Sequence, residues 1–165
     1  MGVNKNKKHL VVIQEDSPYR ELLNGVRNSP HVDGYKIDNR APAGGWSKVF
    51  CALEDNHALL ERYSEMHLLL LMDFDHKFGE RMQHFKEMIA DKSYQSRVFL
   101  LGVDNKEFEN LKQTLKKSNV EKIGQELVKG CPDQQSAIWD TQQLACNQTE
   151  IDRMRKAGVF KWLFT

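Results

Sequence analysis

LLLLMDFDHK, residues 68–77, decides the fold. An unbroken apolar run of this kind, entered from His67, is the pattern of a strand covered on both faces, and such strands occupy the middle of parallel sheets sandwiched between helices. The run ends on two aspartates, Asp73 and Asp75, separated by Phe74. Successive residues of an extended chain point to opposite sides, so Asp73 and Asp75 are expected to face one way while Phe74 turns into the core.

Working outward, HLVVIQ (9–14) and RVFLLGV (97–103) are two further short apolar runs that read as buried strands, and YKIDNRAP (35–42) could supply a short one. After the first, Ser17 can cap a helix begun by Pro18, with Tyr19, Leu22, Leu23 and Val26 on one helical face. The glycine turn AGG (43–45) precedes Trp46, Val49, Phe50 and Leu53, whose helical spacing places Trp46 in the core, and NHALLERYSE continues as a second helical piece. Behind the central strand, Phe78, Met82, Phe85 and Ile89 repeat the helical spacing.

Asp104 with Glu107 has capping-box spacing at the start of a helix carrying Phe108, Leu111 and Leu115, and Ser118 with Glu121 repeats it. GCPDQQSAIWD reads as a loop. Asn147 with Glu150 then opens a last helix that Gly158 stops, and VFKWLF reads as a closing strand. Strands alternating with helices predict an α/β fold, a three-layer sandwich with a mostly parallel central sheet flanked by helices. Residues 9–165 are expected to form a single α/β domain, behind a lysine-rich, disordered tail of residues 1–8.

Bulk charge excludes little and advertises less. Lys and Arg number 24 against 23 Asp and Glu, a net charge of +1, so no global field points to nucleic acid, membrane or an acidic partner. No apolar stretch reaches the roughly 20 residues of a membrane span and no signal-peptide core follows the basic start, so a cytoplasmic protein with no membrane contact is expected. Cys51, Cys131 and Cys146 are odd in number and widely spaced, the pattern of free thiols. There is no phosphate-binding glycine loop of the G-x-G-x-x-G or P-loop type and no defensible Ser/His/Asp order.

The informative signal is where the acids fall. In open α/β sheets ligands bind beyond the carboxyl ends of the strands. Glu15 and Asp16 follow the first strand, Asp73 and Asp75 the central one, and Asp104 the third. Carboxylates brought to a common edge repel one another unless a cation compensates them, and Mg²⁺ or Mn²⁺ suits a shallow site offering a few carboxylate oxygens. Acids at strand ends also serve as helix caps and first-turn residues, a role open to Asp104 and Asp16. His76, Lys77 and Arg81 could meet a phosphate, or be ordinary solvated side chains. Trp139, Phe160, Trp162 and Phe164 could form a surface for a protein partner.

A glutamate after the first strand and D-x-D after a later apolar strand, with helices between, resembles the Toprim domain of topoisomerases, primases and overcoming-lysogenization-defect nucleases. The resemblance covers residues 9 to 105. It implies Mg²⁺-dependent phosphoryl transfer on nucleic acid, with Glu15 matching the glutamate and Asp73 and Asp75 the aspartate pair. Toprim proteins usually carry Gly after the glutamate, where this chain has Asp16. LVVIQEDSPYRELLNGV also resembles the start of a phosphorelay receiver domain, which would make Glu15 and Asp16 a Mg²⁺-holding pair and Asp73 the phosphate acceptor. The switch hydroxyl and the lysine-proline pair of that family are missing. Both resemblances leave open a non-catalytic module that works within a larger protein complex.

Overall fold

The computed structural model describes residues 2–104, 119–133 and 137–165. Four strands, β1 (His9–Gln14), β2 (Ile37–Asn39), β3 (Met66–Asp73) and β4 (Val98–Val103), form one all-parallel sheet in the order β2-β1-β3-β4. The helices among the described residues are α1 (Ser17–Arg27), α2 (Trp46–Asp55), α3 (His57–Arg62), α4 (Phe78–Ile89), α5 (Val120–Asp133), α6 (Gln148–Lys156) and α7 (Val159–Leu163).

The continuous hydrophobicity of β3 follows from burial on both faces. Leu68, Leu70 and Met72 pack with Val49, Phe50, Leu53, Met82 and Phe85 from α2 and α4. Leu69 and Leu71, one residue out of phase, pack with Tyr19, Leu22 and Leu23 of α1, Ile123 and Leu127 of α5, and Ile151 and Met154 of α6. The chain is thus the expected α/β sandwich. From β1 the chain crosses to β2 on one side, and from β3 it crosses to β4 on the other. A constant crossover hand therefore puts α1 and α4 on opposite faces. None of the described helices is long and apolar enough to cross a membrane.

Several local expectations are corrected. VFKWLF is helical over Val159–Leu163 because Gly158, at φ 77°, restarts a turn that buries Val159 and Leu163 on one side. A short apolar run does not distinguish strand from buried helix. Asp16, rather than Ser17, occupies the N-cap of α1. At α5, Asn119 accepts the Lys122 N–H at 2.9 Å, and the helix runs through Cys131 to Asp133, where a loop was expected. Trp139, Phe160, Trp162 and Phe164 are half-buried, packed against the α1–α5–α6 core. The expected Asp104–Glu107 box, the helix bearing Phe108, Leu111 and Leu115, and Ser118 lie outside the described residues, apart from Asp104 itself.

The largest correction concerns Asn147 and Glu150. They do not cap α6 by side-chain hydrogen bonds; they close the open edge of β4. Asn147 accepts the Gly102 N–H at 2.9 Å and donates to the Gly102 carbonyl at 2.7 Å, while Glu150 accepts the Leu100 N–H at 3.0 Å and pairs with Arg153 at 2.7 Å. Two side chains thereby do for β4 what a fifth strand would do, covering an edge that would otherwise carry unpaired backbone groups. Asn147→Ala leaves both Gly102 groups buried and unbonded, and is expected to cost about 2–4 kcal/mol in urea denaturation. An unchanged midpoint would refute the edge-closing role.

Candidate functional site

The strand order reverses between β1 and β3, the switch point beyond whose carboxyl ends open α/β sheets bind their ligands because the following segments leave toward opposite faces. The pairing register runs to Gln14 and Leu71 and continues in the bond from the Glu15 N–H to the Leu71 carbonyl, 2.9 Å. Glu15 is therefore carried to the end of β3. Its Oε2 accepts the Asp73 N–H at 2.7 Å. Asp73 Oδ1 in turn accepts the Tyr19 hydroxyl at 2.6 Å, and that hydroxyl also accepts the Val103 N–H at 3.3 Å, joining α1, β3 and β4. Tyr19 is fully buried, and desolvation, followed by the Asp73 charge, holds its hydroxyl well above the usual phenol range.

Of the five acids named from the sequence, Asp73, Asp16 and Asp75 lie within electrostatic reach of Glu15. Burial is the main cause that pushes the Glu15 carboxyl from 4.5 up to about 7; the Asp73 N–H opposes the shift, and the charges of Asp73, Asp16 and Asp75 add to it. Asp16 is also raised, by desolvation, against the pull of the Tyr19 N–H in the first turn of α1. No side chain completes a full capping bond there, and Asp16 Oδ1 is buried with no hydrogen-bond partner among the described residues.

Asp75 arrives by a route other than the expected one. β3 ends at Asp73; Asp75 and His76 are left-handed, at φ 48° and 61°, so the alternation of an extended chain does not reach Asp75. Two successive non-glycine residues in this region are strained, and they turn the chain out of the sheet toward α4. Phe74 is buried as expected, its ring close beside Gly102 of β4. Asp104 stands one strand further along, where its carbonyl accepts the His76 N–H at 3.1 Å. Its Oδ1 is buried without a partner among the described residues.

Among the described residues no three His, Cys, Asp or Glu side chains already stand in a ligand geometry. The chemistry of the donors nevertheless suits a hard cation. Mg²⁺ is typically held by one or two carboxylates, with water and substrate phosphate completing its shell, and both Asp16 and Asp104 carry a buried oxygen without a hydrogen-bond partner among the described residues. The cysteines are free, and burial pushes the thiols of Cys131 and Cys146 up to about 12, so neither supplies a thiolate at neutral pH.

Four residues at or near the site were missed or misplaced by sequence reasoning. Tyr19 was read only as a core position of α1. Gln14, wholly buried, donates to Asn39 Oδ1 at 2.6 Å and to the Arg40 carbonyl, tying β2 to the rim; the signal was a polar residue closing an otherwise apolar strand. Arg81 is 8% exposed rather than solvated, and Trp46, expected in the core, is 38% exposed.

Glu15 makes stability depend on pH. Its folded value lies above its unfolded value, so between 4.5 and about 7 the folded protein keeps a proton that the unfolded chain releases. Stability therefore falls as pH rises through that window. The loss is expected to be about 1–2 kcal/mol, after allowing for solvent screening at a half-buried rim. Glu15→Gln, which does not titrate, should flatten the fall in thermal midpoint between pH 5 and pH 8. Equal slopes in the two proteins would contradict it.

Comparison of the chain with protein-family models, with curated proteins and with solved structures finds no match.

Proposed function

We propose that the rim between β1 and β3 is a Toprim-like centre that holds Mg²⁺ or Mn²⁺ on Glu15, Asp73 and Asp75, with Asp16 beside them, and serves phosphoryl transfer on nucleic acid, as a nuclease or a related enzyme. The observation that carries this reading is the meeting of Glu15 with Asp73 across the switch point of the sheet, 2.7 Å from carboxylate oxygen to backbone nitrogen. Four carboxyl groups in one half-buried crevice are unfavourable without compensation, and a divalent ion supplies it.

A bound divalent ion would polarise the phosphoryl oxygens and lower the pKa of an attacking water. The chain's own contributions are positional. The Asp73 N–H fixes one oxygen of Glu15, and the Tyr19 hydroxyl fixes one oxygen of Asp73. With a net charge of only +1, no global field draws the protein to nucleic acid, so a protein partner in the cytoplasm is part of the proposal.

Calorimetric titration with Mg²⁺ and with Mn²⁺ tests the reading, with Asp73→Asn as the comparison. Binding is expected in the wild type and a loss of about tenfold or more in the variant, as removal of one charged ligand requires. No heat of binding, or equal affinity in both proteins, overturns it.

The strand order β2-β1-β3-β4, with acids after β1 and an aspartate ending β3, favours a second reading: a receiver-like, non-catalytic module in a larger complex. Acetyl phosphate would then label Asp73 in the presence of Mg²⁺, and Asp73→Asn would take no label.

A further inference from the structure

The stretch GGWSK, residues 44–48, forms the turn between β2 and α2 and lies against the acidic rim. The Ala43 N–H donates to the Gln14 carbonyl at 2.8 Å and the Gly44 N–H to the Glu15 carbonyl at 2.9 Å. Gly44 and Gly45 have φ 94° and 146°, conformations that side chains rarely adopt, and the space where a Cβ of Gly45 would stand is empty. The turn thus brings bare backbone to the rim and leaves room above it.

Helix α2 starts there without a cap. Gly45 supplies no side chain, and the N–H groups of Trp46, Ser47 and Lys48 have no acceptor among the described residues. The Lys48 side chain folds back over the turn, its Nζ 3.7 Å from where a Cβ of Gly44 would be. A helix start of this kind attracts anions, but such starts are common and would not alone define a site.

Arg81 adds the second observation. It projects from α4, is 8% exposed, and its guanidinium lies 3.6 Å from the ring centre of Trp46, the first residue of α2. Its Nε is buried with no hydrogen-bond partner, and no carboxylate among the described residues pairs with it. A buried guanidinium is ordinarily paired with a carboxylate or another anion. Here the aromatic face orients it, and its N–H donors are left for something else.

We infer that Gly45, Trp46, Ser47, Lys48 and Arg81 form a binding site for a phosphate oxyanion, the backbone N–H groups and the guanidinium donating to its oxygens and Lys48 supplying a further charge. The site stands on its own geometry. That the phosphate held there belongs to the nucleic-acid backbone, beside the strand end that carries Glu15, rests on the function proposed above.

The test is an amide NMR titration of the full chain in EDTA, with chloride at matched ionic strength as control. Inorganic phosphate, a nucleoside 5′-monophosphate and an oligonucleotide carrying only diester phosphates are the three ligands. Phosphate is expected to shift the Gly45, Trp46 and Ser47 amides, and Arg81→Met to weaken it about tenfold or more, the loss of a charge-assisted contact. The oligonucleotide is expected to bind more tightly than the mononucleotide; the reverse order would overturn the assignment to the nucleic-acid backbone.

Arg81→Met removes a buried unpaired charge while keeping most of the side-chain volume, so its thermal midpoint should match or exceed that of the wild type, which separates lost binding from lost folding. Lys48→Met, on the exposed face, is a second variant expected to weaken phosphate without unfolding risk. Shifts absent with all three ligands, shifts seen only when Mg²⁺ is added, or wild-type affinity retained in both Arg81→Met and Lys48→Met would overturn the site. Because EDTA removes divalent ions, a failure of the cation reading leaves this result untouched.

Discussion

Gly25→Ala is expected to lower stability by about 3 kcal/mol or more, because a methyl group there overlaps the backbone of a neighbouring helix. α1 and α5 cross with almost no side chain between them. A Cβ on Gly25 would fall on the Glu121 carbonyl, and one on Gly124 would fall on the Leu22 carbonyl from the other side. Backbone cannot rotate away as a flexible side chain can, so the helices must separate and open the core formed by Leu22, Leu23, Ile123 and Leu127.

Alanine improves helix propensity by about 1 kcal/mol, which is smaller than the clash and leaves the sign unchanged. Gly79→Ala in α4 is the control. Nothing lies within 4 Å of its added Cβ, so that variant should hold or gain a few tenths of a kcal/mol. A urea midpoint for Gly25→Ala at or above that of the wild type would show that the helices do not approach this closely.

On the proposed function, Asp73→Asn is expected to lower metal-dependent nicking of plasmid DNA by about a hundredfold or more, since metal ligation supplies several kcal/mol of transition-state stabilisation. The asparagine is chosen to isolate charge. Its side-chain oxygen can still accept the Tyr19 hydroxyl, and its backbone N–H still reaches Glu15, so the ties between α1, β1 and β3 survive. Thermal midpoint should therefore stay near that of the wild type while activity falls. Nicking at the wild-type rate would place the chemistry elsewhere and leave these acids a structural part of the rim.

Much of this molecule could be read directly from its residues. The strands β1, β3 and β4 were visible as short apolar runs, because a strand buried on both faces has no polar side to show. The acids were visible at the strand ends, and their convergence followed from the parallel fold. What periodicity could not reach were contacts made by single side chains across long separations. Asn147 and Glu150 carry the spacing of a capping box, yet they bond to β4, and only the packing of α6 on that edge distinguishes the two uses. Asp75 sits in the D-x-D step, yet a left-handed turn, not strand alternation, places it.

The same division holds for Trp46 and Arg81. Helical spacing measures which residues share a face; it does not reveal what covers that face, so a tryptophan in register with Val49 and Phe50 could lie inside or at the rim. The chain alone determined an α/β sandwich with carboxylates along one edge, because hydrophobic period and turn chemistry are local properties. The tertiary structure decided which strands are neighbours, that Glu15 rather than Asp104 faces Asp73, and that a buried arginine stands unpaired beside a bare helix start. Those depend on the order β2-β1-β3-β4, and strand order is set by the packing of the whole chain rather than by any segment of it.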